Sequence, residues 1–99
     1  MIHHIRETSD LNKLVDAKDV TLVYYTATWC KPCARISPMF ESLPQRRIKV
    51  DVDRCQDTVV VNQGITSIPT LQVWKAGKLL ETVSLENSDH LKLVSTRHS

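Results

Sequence analysis

Glycine and proline are scarce in this chain, two and four among 99 residues. No low-complexity stretch, internal repeat or flexible linker can be built from so few, so nothing divides the sequence. Long apolar runs are also missing. None approaches the roughly 18 residues of a membrane-spanning helix. The start, Met1-Ile2-His3-His4-Ile5-Arg6, lacks the apolar stretch and small-residue cleavage site of a signal peptide, so a cytoplasmic location without membrane attachment is expected. Nor is there an excess of one charge. Thirteen Lys and Arg against eleven Asp and Glu leave +2, too little to point to nucleic acid or an anionic membrane surface. The length fits one domain over residues 1–99. A chain of this size removes roughly 60 to 70 % of its unfolded surface from water, and 41 % hydrophobic residues suffice for one core. Cysteine is scarce too. Three cysteines are an odd number and too few for a secreted disulfide framework.

What is present is patterned. A short strand is expected at Ile2 to Arg6, then Ser9 as N-cap of a helix carrying Leu11, Leu14 and Val15 on one face and ending by Lys18-Asp19. Val20 to Thr26 is β-branched and aromatic with almost continuous apolar character, which suits a central strand buried on both faces. Ile36, Met39, Phe40 and Leu43 recur at helical spacing, predicting a helix from Cys33 to near Pro44, kinked at Pro38. Gln45-Arg46-Arg47 reads as a polar turn, and Ile48 to Asp53 alternates as a strand. A short helix or loop over Thr58 to Gln63 ends at Gly64. Thr70 to Trp74 and Leu79 to Ser84 form a hairpin around Lys75-Ala76-Gly77-Lys78. Ser88 can cap a last helix through Leu91, Val94 and Arg97. The order βαβαβαββα predicts an α/β fold with a mixed sheet flanked by helices on both faces.

The chemistry sits in Trp29-Cys30-Lys31-Pro32-Cys33, at a strand-to-helix junction. A cysteine at a helix N-terminus faces unsatisfied backbone N–H groups and the positive end of the helix dipole, which favour its thiolate, the nucleophilic form. Cys30 is expected to attack a disulfide, and Cys33, one turn on, to displace it from the mixed disulfide. Pro32 preorganises the first helical turn. Two bland readings compete. A zinc site would need two further ligands, but Cys55, His3, His4, His90 and His98 form no second Cys-x-x-Cys and no His-x-x-x-His pair. A purely structural Cys30–Cys33 disulfide is the other. No metal and no cofactor are expected.

Thr26-Ala27-Thr28-Trp29-Cys30-Lys31-Pro32-Cys33, Pro38, Asp51-Val52-Asp53, Gly64-Ile65-Thr66-Ser67-Ile68-Pro69-Thr70-Leu71 and Lys75-Ala76-Gly77-Lys78, in this order along nearly the whole chain, resemble thioredoxins. The resemblance implies the thioredoxin-like fold and a thiol–disulfide oxidoreductase that reduces disulfide-containing protein substrates through Cys30 and Cys33. It also implies a thioredoxin reductase as the recharging partner, and a monomer is expected. It further implies that Ile68-Pro69 is a cis-proline loop presenting backbone to an extended substrate, and that Trp29 is a partly exposed docking residue. Together with Lys31 and Pro32 these form the expected substrate-binding set. The alternatives are a noncatalytic binding module on the same fold and a more oxidising oxidase or isomerase.

The chain departs from the family at four places. Lys31 stands where thioredoxins usually carry glycine; its cation favours the Cys30 thiolate and a more oxidising pair, with a solvated lysine of little effect as the alternative. Tyr24 replaces a buried aspartate that serves the second cysteine as proton acceptor. Lys49 keeps the place of that aspartate's lysine. A phenol with an ordinary pKa near 10 cannot take that proton readily at neutral pH, so Tyr24 is expected to fill apolar space with its hydroxyl partnered. Only ten residues separate Pro38 from Lys49, which shortens the helix and tightens the loop after it. The usual glycine after the last strand is replaced within Ser84-Leu85-Glu86-Asn87. Cys55 is expected to be a structural or incidental thiol, with a regulatory oxidation site as the alternative.

Overall fold

In the computed structural model the β-branched and tyrosine-rich stretch at 20–26 forms the middle strand of a five-stranded sheet. The structure describes residues 2–5, 14–53 and 64–98. Their elements are strand β1 (Ile2–Ile5), strand β2 (Val20–Thr26), helix α1 (Lys31–Ser42), strand β3 (Arg46–Asp51), strands β4 (Thr70–Lys75) and β5 (Lys78–Ser84), and helix α2 (Ser88–Arg97). The strand order is β1-β3-β2-β4-β5. β3 runs parallel to both β1 and β2, while β4 is antiparallel to β2 and to β5. The sheet is therefore mixed, as its sequence order implies.

β2 is covered on both faces because its side chains alternate between two clusters. Leu22 and Tyr24 join Leu71, Val73, Cys33, Ile36 and Phe40 of α1, and Leu91 and Val94 of α2. Val23 and Tyr25 join Val15, Ile48, Val50 and Ile65 on the opposite face. Both described helices thus lie on one face. On the other, Leu14 and Val15 are the described end of the expected first helix; the rest of that helix, and the element expected over 58–63, fall outside the described residues.

Element boundaries differ from the sequence pattern at four places. α1 begins at Lys31 rather than Cys33, with Cys30 as its N-cap, and continues through Pro38 to Ser42. Arg46 and Arg47 are strand, not turn: they pair with Thr21 and Leu22 of β2. The strand then stops at Asp51, whose carboxylate accepts the Asp53 N–H at 2.9 Å and closes an Asx turn. α2 is capped by Asn87, which accepts from the His90 N–H at 2.8 Å, while the Ser88 hydroxyl donates to the Arg35 carbonyl. The hairpin turn is the two-residue kind, with Ala76 at φ 52° and Gly77 at φ 79°, the left-handed pair that matches strand twist. A side chain at Gly77 would put Cβ 2.8 Å from an Asp16 carboxylate oxygen.

Candidate active site

The site is assembled where β2 ends and α1 begins. The Cys30 N–H donates to the Ala27 carbonyl at 3.2 Å, which turns the chain sharply after the strand. Cys30 is extended (φ −82°, ψ 107°) and its sulfur accepts the Cys33 N–H at 3.2 Å. A sulfur thus occupies the place of the oxygen that usually caps a helix. Cys30 and Cys33 form a disulfide with their Cα atoms 5.2 Å apart. The pair is graded in access: Cys30 is 5 % exposed and Cys33 1 %. Pro32 and Lys31 occupy the exposed first turn of the helix, which carries no acidic side chain to oppose the positive helix end at Cys30.

Trp29, Ile68 and Pro69 are the remaining predicted site residues. Trp29 is 65 % exposed, and its Nε1–H donates to the Asp53 carboxylate at 2.7 Å. The Ile68-Pro69 peptide bond is cis. Ile68 packs against both apolar clusters, one of which contains the two cysteines. The loop's other anchors are the Leu85 N–H, which donates to the Pro69 carbonyl, and the Thr70 hydroxyl, which donates to the Ser67 carbonyl.

Tyr24 lies directly beneath. It is fully buried, its ring stacks on Phe40 with centroids 4.8 Å apart, and its hydroxyl donates to the Cys33 carbonyl at 3.0 Å. Ser37 donates to the same carbonyl at 2.8 Å. Burial pushes the Tyr24 phenol above its ordinary value of 10. At neutral pH it is a hydrogen-bond donor and not a base, as position 24 read from sequence. Lys49, its register partner on β3, pairs instead with Glu41 at 3.3 Å.

Asp53 as the partner of Trp29 and Ser37 as the second donor to the Cys33 carbonyl are not among the residues singled out from sequence. The first spans 24 residues and no local pattern encodes it; the second is a local bond from a serine to the carbonyl four residues back in α1. Cys55 lies outside the described residues. Among the described residues, no three of His, Cys, Asp or Glu converge on a possible metal position, and no helix is long and apolar enough to cross a membrane.

Comparison with known proteins places this geometry. A family model described as thioredoxin matches residues 2–96. The thioredoxin of Equus caballus is 31% identical over 99 residues, covering 93% of this chain and 93% of the relative. Thioredoxin H1 of Arabidopsis thaliana is 32% identical over 102 residues, covering 96% and 89%. Among solved structures, the thioredoxin of Fasciola hepatica superposes with a TM-score of 0.89 at 30% identity, over 98% of this chain and 99% of that one.

Proposed function

The chain belongs to the thioredoxin family, and from that premise we propose that it is a protein-disulfide reductase working through Cys30 and Cys33. The observation that carries the reading is the disulfide at the helix start, with Cys30, the more exposed cysteine of the two, as the cap. In the reduced protein the same N–H and the helix dipole stabilise a Cys30 thiolate. That thiolate attacks one sulfur of the target disulfide. A Cys30–target bond forms, and the other target sulfur leaves as a thiolate and takes up a proton. Cys33, after losing its proton, attacks the Cys30 sulfur; the Cys30–Cys33 bond closes and the second target thiol departs. Two electrons pass from the pair to the target.

Lys31 adds positive charge beside Cys30 and makes the pair more oxidising, Pro32 fixes the first turn, and Trp29 with the Ile68-Pro69 loop seats the target. The protein acts as a monomeric single domain over residues 1–99 in the cytoplasm, without metal or cofactor. A thioredoxin reductase returns it to the dithiol.

The experiment is insulin reduction driven by dithiothreitol. The wild type accelerates it, and Cys30→Ser/Cys33→Ser does not exceed the dithiothreitol background. A second reading, a noncatalytic docking module, draws on Tyr24, which puts a neutral phenol where the family keeps a base. Equal inertness of wild type and double mutant would favour that reading.

A further inference from the structure

Closing the disulfide requires a Cys33 thiolate, and Cys33 stands where a charge is disfavoured. Cys30 caps α1, whereas Cys33 lies within the helix and is 1 % exposed. No buried cation or base offsets this. Among the described residues, no Asp, Glu, Lys, Arg or His side chain is buried. β4 presents Leu71 and Val73 to the cluster that holds Cys33, and α2 presents Leu91 and Val94. The charged groups on the surrounding elements are engaged or exposed. Arg47 and Lys49 of β3 bond to Glu41, and Asp51 accepts the Asp53 N–H. His90 accepts the Glu86 N–H, while Lys31, Arg35 and Asp89 are exposed.

What converges on Cys33 instead is a pair of hydroxyls from two elements. Tyr24 of β2 donates to the Cys33 carbonyl at 3.0 Å, and Ser37 of α1 donates to it at 2.8 Å. The Ser37 and Thr26 side chains also hydrogen-bond to the phenol and offset part of the rise that burial causes. The carbonyl oxygen of Cys33 carries partial negative charge next to its own sulfur and opposes a thiolate there. Two O–H dipoles aimed at that oxygen weaken the opposition. We propose that Tyr24 and Ser37 are positioning residues that act through the Cys33 carbonyl to favour the Cys33 thiolate, so that a donor pair serves where the family keeps a base. The proposal rests on the reading of Cys30–Cys33 as a reductase pair and names the groups that set the pace of its second step. The bonds exchanged are unchanged. Cys33 loses its proton to solvent, its thiolate attacks the Cys30 sulfur, and the target sulfur leaves as a thiolate and takes up a proton.

The test uses the full chain in a Cys55→Ser background, reduced and then mixed in stopped flow with dithiobis(nitrobenzoate). Its coloured thiolate is released twice. The first phase reports attack by Cys30; the second, independent of reagent concentration, reports attack by Cys33 on the mixed disulfide. Both are followed from pH 6 to pH 10. At pH 7, Tyr24→Phe/Ser37→Ala should slow the second phase by about tenfold, the size of one hydrogen bond to a charged group, and either single variant by less. The gap should narrow as pH rises, and the first phase should be unchanged. Ser37→Thr keeps the hydroxyl and should match the wild type. A double variant whose second phase matches the wild type at every pH overturns the proposal and leaves the reductase reading standing. So does a slowing that is equal at every pH or shared by the first phase, because it assigns the hydroxyls to holding the fold. A wild type that shows no second phase removes the reductase reading, and the proposal with it.

Discussion

Tyr24 and Tyr25 are adjacent residues of one type, both fully buried, on opposite faces of one strand. Tyr25 donates to the Gln72 side-chain oxygen at 2.6 Å, on the strand paired with its own, and the Trp74 indole donates to that same oxygen at 3.1 Å. That bond lies inside the sheet. Tyr24 reaches out of the sheet to the carbonyl of Cys33 in α1. The difference shows what burial alone does not decide: a buried phenol is structural or site-forming according to the element that its hydroxyl reaches. It also shows how the chain accommodates a departure from its family. The place of an ionisable base holds a neutral aromatic that packs on Phe40 and fixes the backbone of the second cysteine.

The largest effect that separates the two faces is expected from Tyr24→Asp. It removes the stacked ring and buries a carboxyl, costing about 3 kcal/mol at neutral pH in urea denaturation. Lys49 stands opposite in register and limits the penalty by reaching the new carboxylate. The same variant supplies a base near Cys33, so mixed-disulfide resolution should become faster and acquire a pH dependence in the range of a buried carboxyl. An unchanged rate and pH profile would refute the role given to position 24.

Smaller effects follow from removing the hydroxyls alone. Tyr25→Phe should cost about 1 kcal/mol and leave insulin reduction as it was. Tyr24→Phe should cost no more than that, because Ser37 still donates to the Cys33 carbonyl. The two variants part at high pH. Folded Tyr24 holds its proton above the ordinary phenol range, so above about pH 10 the unfolded chain releases that proton first and wild-type stability falls as pH rises. Tyr24→Phe removes this part of the alkaline loss. Denaturation at pH 9 and pH 11 measures it, and an equal loss in wild type and Tyr24→Phe would contradict the burial assigned to the phenol.

The sequence carried much of this where the determinant was local. Val20 to Thr26 could only be a covered strand, Ala76-Gly77 between two β-rich runs could only be a tight turn, and a cysteine pair after that strand marked a helix start. The family resemblance supplied the cis peptide at Ile68-Pro69, for which propensity has no signal. What stayed hidden was set by partners distant in sequence. Arg46 and Arg47 look like a polar turn until β2 pairs with them. Ser88 and Asn87 are equally good caps until the Arg35 carbonyl takes the serine hydroxyl. The pairing of Trp29 with Asp53 exists only once separate elements meet.

The division of labour within the cysteine pair is the central claim, and trapping tests it most directly. In a Cys55→Ser background, reduced Cys33→Ser is incubated with oxidised insulin and the products are weighed by mass spectrometry. The account predicts a stable adduct through Cys30, and no such adduct when Cys30→Ser is used in its place. An adduct through Cys33 in the Cys30→Ser protein, as abundant as the one through Cys30, would contradict it.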